Sequence, residues 1–200
     1  MKFKQGQLDK KGEERIYHIG KAATRLFYKK GYLEASMDDI AQAAMMSKGG
    51  VYHYFTSKDE ILYYILNSYM DTILGDLEEE LKEIEKAHLK IKFVISRHIK
   101  IYTKNLPESK TLLHEAHCLP SKYFDIIAEK ERKYYRIVAD VLSEFFKNNI
   151  QKEKLIGITF ILFGMCNGIY FWYNPKGPLD PEELSRMIFN IFLRGLNTLK

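Results

Sequence analysis

The sequence lacks the features that mark a secreted or disulfide-stabilised protein. Its 200 residues contain only two cysteines, Cys118 and Cys166, and no CxxC pair. So few thiols favour a chain that stays reduced in the cell. The opening MKFKQGQLDKK is charged and has no apolar core segment, which argues against a secretory signal. We therefore expect a cytoplasmic protein.

Strand-like alternation of polar and apolar residues is absent over any useful length, and there is no repeat or low-complexity tract. Apolar residues instead recur at helical spacing. Helix starts are indicated by Ser36-Met-Asp-Asp39, by the capping box Ser57-Lys-Asp-Glu60 and by Asp180-Pro-Glu-Glu183, and Gly31 indicates a helix end. The fold class predicted from this pattern is all-α.

Short capped helices give way to long amphipathic ones near the start of a segment that runs from Ser57 towards Glu85. We predict a boundary there, with residues 1–57 forming a three-helix head and residues 58–200 a larger helical domain. The amphipathic runs of that larger domain lie near 87–106, 109–118, 121–148 and 152–172.

Catalytic constellations are also missing. The chain shows no nucleophile–base pair, phosphate-binding loop or paired carboxylates, so we expect neither an enzyme nor a bound cofactor. The formal net charge is +5, and residues 1–55 carry ten Lys and Arg against six Asp and Glu. This excess of basic residues in the head permits an anionic partner.

Residues 36–55 fit a helix-turn-helix, with one helix from Ser36 to about Ala44 and a second from Ser47 to about Tyr54. The second helix is too short to be stable alone, so Val51 and Phe55 must pack inward. Two adjacent glycines near its start would let its backbone approach DNA closely. The residues left to face outward are Lys48, Gly49, Gly50, Tyr52, His53 and Tyr54.

The stretch MDDIAQAAMMSKGGVYHYFTSKDEIL resembles the DNA-binding domain of TetR/AcrR-family transcriptional regulators, and residues 12–62 fit that three-helix head. The resemblance implies a homodimer that binds a palindromic operator as a repressor and is released by a small molecule. It implies that Lys48, Gly50 and His53 face bases, and that phosphates contact Ser36, Tyr52, Tyr54 and Lys58. Ser47 and Gly49 complete the predicted DNA-binding set. The sequence departs from the family at Met45, which takes the place of the usual turn glycine, and at Gly50, where threonine is common.

The segment Leu155–Tyr173 has no charged residue over 19 positions. Its length suits a membrane span, but a helix that is apolar all round also suits a core shared with a partner chain, which we favour. Gly164 and Gly168 would allow close helix approach, and a stripe on the following helix would join the dimer interface. That stripe consists of Leu184, Ile188, Ile191 and Phe192.

Aromatic and aliphatic residues from several segments are predicted to line an effector cavity, since such cavities are mostly apolar with few polar anchors. The predicted wall is Phe93, Tyr102, Leu113, Tyr134, Phe145 and Phe163, and the predicted anchors are His98, Asn167 and Tyr170. His98 lies on an apolar helix face and also fits a satisfied core histidine, and Asn167 also fits a hydrogen bond across the dimer. The segment FWYNPKGPLDPEEL resembles a corner of relatives that sense fatty acyl compounds. We therefore expect a hydrophobic effector with one polar or anionic end, a fatty acyl or acyl-CoA compound being favoured.

Two alternatives from other classes remain. A membrane-associated helical protein would use Leu155–Tyr173 as a span. A metal-binding helical protein would use His114, His117 and Cys118, whose spacing suits zinc, although no fourth ligand and no HExxH motif is present, and we predict no metal site.

Overall fold

The computed structural model describes residues 9–199, and within them all regular structure is helical. The all-α prediction is confirmed. The argument against a secretory signal depends partly on the charged segment 1–8, which lies outside the described residues. The helices are α1 (Lys10–Lys30), α2 (Met37–Ala43), α3 (Lys48–Tyr54), α4 (Lys58–Leu74), α5 (Leu77–Lys82), α6 (Ala87–Lys104), α7 (Leu106–Glu115), a 3-10 turn (Ala116–Cys118), α8 (Ser121–Phe145), α9 (Lys152–Asn167), α10 (Ile169–Trp172) and α11 (Pro181–Asn197).

Local signals in the sequence set most helix ends. Gly31 ends α1 at a φ of 87°, and the Asp180 carboxylate caps α11 by accepting from the N–H groups of Glu182 and Glu183. The predicted long segment after Ser57 is instead two helices, because the chain takes a positive φ of 34° at Gly75 between α4 and α5. The capping box at Ser57 is also shifted, since the Glu60 carboxylate accepts from the N–H of Thr56, at 2.7 Å.

The chain divides into two compact units. The first runs up to Met70 and includes Pro107–Ala128. Its core is built around α1, which contacts α2, while α2 contacts α3. Lys21 of α1 forms a 2.8 Å ion pair with Glu108 of α7, and Tyr32 donates its N–H to Glu115 at 3.4 Å. These contacts make α7 part of the unit that holds the helix-turn-helix.

The second unit contains Asp71–Leu106 and Glu129–Lys200. Its main packing pair is α6 and α11, and α9 contacts both. The apolar face of α6, with Ile91, Ile95 and Ile99, is buried. The buried apolar residues of α11 recur at i, i+4, i+8 and i+12, which is the spacing of one helical face. They are Leu184, Ile188, Phe192 and Leu196.

Candidate nucleic-acid interface and effector site

The first helix of the helix-turn-helix is held by a complete capping box. The Ser36 hydroxyl accepts from the N–H of Asp39 at 3.1 Å, and the Asp39 carboxylate accepts from the N–H of Ser36 at 2.9 Å. Lys30 of α1 lies 2.9 Å from the same carboxylate. Its hydrogen bond, with those from Ser36, holds the pKa of Asp39 well below the ordinary value. The predicted phosphate contact Ser36 is exposed, and its hydroxyl is part of this cap.

The turn between α2 and α3 keeps the shape that glycine usually provides. Met45 has a φ of 51° and an 86% exposed side chain. Its N–H donates to the carbonyl of Gln42, and the N–H of Met46 donates to that of Ala41, both at 3.0 Å. This is a Schellman motif, and a residue other than glycine is strained at its left-handed position. Methionine in place of the usual glycine therefore adds strain to the turn but leaves its backbone conformation unchanged.

The short helix α3 begins and packs as predicted. Ser47 accepts from the N–H of Gly50 at 3.0 Å, and Val51 and Phe55 are completely buried. The Phe55 ring lies 5.7 Å from the ring of Tyr64, in an edge-on arrangement. On α1, Nε2 of His18 donates to the carbonyl of Ala44 at 2.9 Å. These contacts hold a helix of seven residues that would not persist alone.

The two glycines of α3 have different surroundings. A Cβ at Gly50 would lie 3.2 Å from the Ser47 hydroxyl and 3.4 Å from the Met46 side chain, so the absence of a side chain there suits the cap. A Cβ at Gly49 would meet no atom within 4 Å. Within the described chain, packing gives no reason for glycine at position 49, although glycine weakens a helix by about 0.5–1 kcal/mol relative to alanine.

The outward face of α3 carries the remaining predicted contacts. Lys48, Tyr52 and His53 are exposed, while Tyr54 is half-buried with its ring edge-on to that of His53, at 4.9 Å. Lys48 forms a 2.8 Å ion pair with Asp38 of α2, and this partner raises the pKa of the lysine. The sequence analysis did not identify Asp38 as the partner of Lys48. Its position near the start of α2, close to the recognition segment, was the available signal.

Lys58 is placed differently from the prediction. Its ammonium donates to the carbonyls of Tyr32, Leu33 and Ala35 at 2.8, 3.2 and 2.7 Å, so all three N–H bonds are used within the chain. The ammonium also lies 4.4 Å from the centre of the Tyr32 ring. Lys58 therefore fixes the connection between α1 and α2, and its assignment as a phosphate contact stays a prediction that this conformation does not favour.

Two family models match the chain one after the other. Residues 19–65 match the bacterial regulatory proteins of the tetR family, and residues 85–196 match the tetracyclin repressor-like C-terminal domain. The second match alone spans more than half of the 200 residues. The chain belongs to the TetR family of transcriptional regulators.

This TetR-family protein is similar to its relatives over nearly its whole length. It is 29% identical to the fatty acid metabolism regulator protein of Bacillus subtilis (strain 168) over 179 residues, which cover 88% of this chain and 92% of that one. A TetR-family transcriptional regulator from Bordetella parapertussis 12822 has a TM-score of 0.85 at 25% identity, covering 93% and 95%. AibR, solved with isovaleryl coenzyme A and operator DNA, has a TM-score of 0.79 at 26% identity, covering 88% and 97%.

The second unit of the TetR-family protein contains a buried aromatic cluster around His98. The His98 ring stacks on Tyr102 at 4.0 Å, and its Nδ1 lies 2.9 Å from the hydroxyl of Tyr134. Phe163 closes the cluster, with its ring 5.5 Å from that of Tyr134. The structure thus brings together four of the predicted effector residues, with Asn167 beside them.

Two polar atoms in this cluster have unused hydrogen-bonding capacity. Among the described residues, Nε2 of His98 and Oδ1 of Asn167 are both buried, and neither makes a hydrogen bond of good geometry, although the two side chains interact with each other. Burial lowers the pKa of His98 to about 3, and the neighbouring Asn167 side chain offsets only part of that shift. The imidazole is therefore neutral at physiological pH, and it can hydrogen-bond a neutral polar group.

The remaining predicted effector residues differ in their surroundings. Leu113 is exposed and belongs to the first compact unit. Phe145 packs against Phe146, with ring centres 5.3 Å apart, and Tyr170 packs against Phe171 at 3.9 Å. Phe93 is half-buried on α6. Leu113 belongs to the other compact unit, so its place in the predicted wall stays a prediction.

The surface expected to meet a second chain also needs correction. Leu184, Ile188 and Phe192 are buried within one chain, in the unit where α11 packs on α6, so they belong to its own core. Gly164 and Ile191 are exposed, and Gly168 is half-buried. Large apolar side chains that the sequence argument did not single out join this exposed surface on α9 and α11. They are Ile156, Phe160, Ile161 and Met187.

The two alternative functions gain no support. Lys152–Trp172 is long and apolar enough to cross a membrane, yet it lies within the matched C-terminal domain, where a helix of this kind suits a shared core. His114 and His117 are exposed, and the helix changes to a 3-10 turn after Glu115. Among residues 9–199, no three metal-ligating side chains are grouped closely enough to hold an ion.

Proposed function

We propose that this protein is a repressor that binds a palindromic operator as a homodimer and is released by a hydrophobic acyl effector. In this proposal residues 1–57 read DNA, and residues 58–200 bind the effector and form the dimer. Action on operator DNA also implies a cytoplasmic location. The observation that carries the proposal is the exposed, glycine-containing start of α3 on a well-packed helix-turn-helix.

The start of α3 suits close contact with a duplex. Gly49 leaves open space beside the first turn, and Lys48 stands next to it on the surface. Free N–H groups at a helix start favour phosphate, and a recognition helix presents its N-terminal residues to base edges. We assign base contacts to Lys48, Gly50 and His53, close backbone approach to Ser47 and Gly49, and phosphate contacts to Ser36, Tyr52 and Tyr54.

The ion pair between Lys48 and Asp38 adds a switchable element to this interface. Both side chains are well exposed, so water screens the pair and it contributes little to stability. Lys48 can therefore leave Asp38 for DNA at small cost. Once Lys48 has turned away, the carboxylate of Asp38 repels phosphates, which helps to reject misplaced duplexes.

The effector proposal is supported by the cluster around His98 and by two relatives. One relative is named a fatty acid metabolism regulator, and another was solved with isovaleryl coenzyme A. In this chain the clustered rings of Tyr102, Tyr134 and Phe163 offer an apolar wall, with Nε2 of His98 and Oδ1 of Asn167 as polar anchors. A neutral imidazole suits a thioester or hydroxyl group better than a carboxylate, so we favour an acyl thioester over a free acid.

Binding of the purified protein to genomic DNA fragments, followed by footprinting, tests the function directly. We expect a protected palindrome, with log K falling by about 0.9 per unit of log salt for each phosphate neutralised. Lys48→Ala should weaken binding and change the base preference, whereas Asp38→Ala should not lose affinity. Unchanged affinity and preference in Lys48→Ala would exclude α3 as the recognition helix.

A second experiment tests release by the effector and uses the same operator DNA. An acyl-CoA that releases the protein must bind the free form more tightly than the operator-bound form, and operator DNA must weaken acyl-CoA binding by the same factor. Acyl-CoA titrations with and without operator measure both quantities. Equal affinities in the two titrations would remove that compound from the proposal while leaving DNA binding intact.

A further inference from the structure

A polar groove of about 460 Å³ lies between α6 and the start of α11. None of the predicted effector residues lines it. Its walls combine basic, acidic and hydroxyl side chains from two helices that pack directly on each other. The lining residues are Lys92, Ser96, Lys100 and Lys104 from α6, and Asp180, Pro181, Glu182, Ser185 and Arg186 from α11 and its cap.

The α6 wall follows a strict spacing of four residues. Lys92, Ser96, Lys100 and Lys104 therefore form one line along the helix surface. The other basic residues of α6 have acidic partners: Lys90 lies 2.7 Å from Glu144, and Arg97 lies 2.9 Å from Glu80. Within residues 9–199, the three groove lysines form no such ion pair.

The opposite wall adds a fourth cation and does not cancel the charge. Arg186 projects from α11, and it too has no ion pair within the described chain. The Asp180 carboxylate is occupied by two N–H groups of α11, at 2.8 and 2.9 Å. Glu182 is the remaining acid, so four cations face two carboxylates. The lining therefore keeps a net charge of +2, so its cations are only half neutralised, and a bound anion would lower the repulsion that remains among them.

We propose that this groove binds the diphosphate of a nucleotide-like small molecule. Lysine ammonium groups and an arginine fork are the side chains that hold phosphate oxygens, and the volume lies in the range of small-molecule sites. Ser96 offers a hydroxyl between two lysines for a further phosphate oxygen. The diphosphate could come from a free nucleotide or from the nucleotide end of an acyl-CoA; the second source rests on the proposed function, and the first does not.

Calorimetric titration at low salt tests the groove with ADP and, separately, with an acyl-CoA. In Lys100→Gln/Lys104→Gln we expect the affinity for ADP to fall at least about tenfold, because two charge-assisted contacts are lost. The matched control is Lys152→Gln/Lys154→Gln, which removes two exposed lysines of the same unit outside the groove. The control should bind ADP within about twofold of the wild type.

The two arms identify the source of the diphosphate. Binding of ADP that depends on Lys100 and Lys104 supports an independent nucleotide site, and binding confined to the acyl-CoA with the same dependence supports the nucleotide end of the effector. Absence of both, or an equal loss in the control variant, would overturn the proposal. Operator affinity without ligand should be unchanged in the groove variant, so failure of this site is distinguishable from failure of DNA binding.

Discussion

At the residue scale, Gly49 weakens α3, and no contact within the described chain explains why glycine occupies this position. Its neighbour Gly50 fits tightly against the Ser47 cap, whereas the space beside Gly49 is empty to 4 Å. Selection for folding alone would favour alanine at an open helical position. The reason for glycine at this position is therefore expected to lie outside the chain, where the backbone of α3 meets DNA.

Gly49→Ala should separate stability from binding. Alanine removes part of the conformational entropy cost, so we expect the free energy of unfolding to rise by about 0.5 kcal/mol. The added methyl group should keep the backbone from the duplex and weaken operator binding about tenfold. Urea unfolding and operator titration on the same preparation measure the two effects. Tighter or unchanged operator binding would show that Gly49 does not contact DNA.

His98 links one buried residue to the pH dependence of the whole chain. Its folded pKa of about 3 lies below the value of 6.5 expected when unfolded. As the pH falls through 6.5, the unfolded chain binds a proton that the folded chain refuses, so stability is lost towards acid. The largest slope from one such group is about 1.4 kcal/mol per pH unit.

Replacing His98 should therefore flatten the acid side of the stability profile. Between pH 6.5 and 5, we expect His98→Gln to lose less stability per pH unit than the wild type. The control is His88→Gln, which removes an exposed histidine from the same helix. Urea unfolding at fixed protein concentration gives the slopes. Parallel slopes for wild type and His98→Gln would mean that His98 is protonated in the folded chain.

At the scale of helices, the sequence predicted starts and stops better than partners. Ser36, Ser47 and Asp180 all cap helices as predicted, because a cap depends on residues within four positions. The apolar stripe of α11 was also recognisable. Its partner was not, because periodicity shows that a face is buried without showing which helix buries it. Leu184, Ile188 and Phe192 of the stripe pack within their own chain, in the unit where α6 is the main partner of α11, whereas Ile191 lies on a different, exposed face.

Neighbouring positions on α11 separate these two faces. Ile191 is 62% exposed and Ile188 is 6% exposed. We expect Ile191→Glu to yield a folded monomer, because it places charge on the proposed interface. Ile188→Glu should instead unfold or aggregate, because it buries an unpaired carboxylate in the core. Light scattering and circular dichroism distinguish the results. A folded dimer of Ile191→Glu would exclude this face from dimerisation.

Lys58 and the His98 cluster show the same limit on sequence prediction. The motif placed Lys58 near DNA, but its amine meets three carbonyls from residues 23 to 26 positions earlier in the chain. His98 was recognised as lying on an apolar face, while its contact with Tyr134, 36 residues away, required the fold. Contacts across such separations depend on helix packing, which local spacing does not encode.

At the scale of the whole molecule, the second unit leaves apolar surface uncovered on α9 and α11. Phe160, Ile161 and Ile191 are each more than half exposed, on helices within the matched C-terminal domain. Apolar side chains grouped in this way usually mark an interaction surface.

That uncovered surface has a consequence for the life of the protein in a cell. A newly synthesised chain that has not yet bound a second copy in the proposed dimer exposes the kind of surface that chaperones and proteases recognise. We therefore expect unassembled chains to be removed faster than assembled ones. Since assembly of the proposed dimer needs two chains, the number of assembled molecules should rise more steeply than the rate of synthesis. Small changes in expression would then produce larger changes in the number of active molecules.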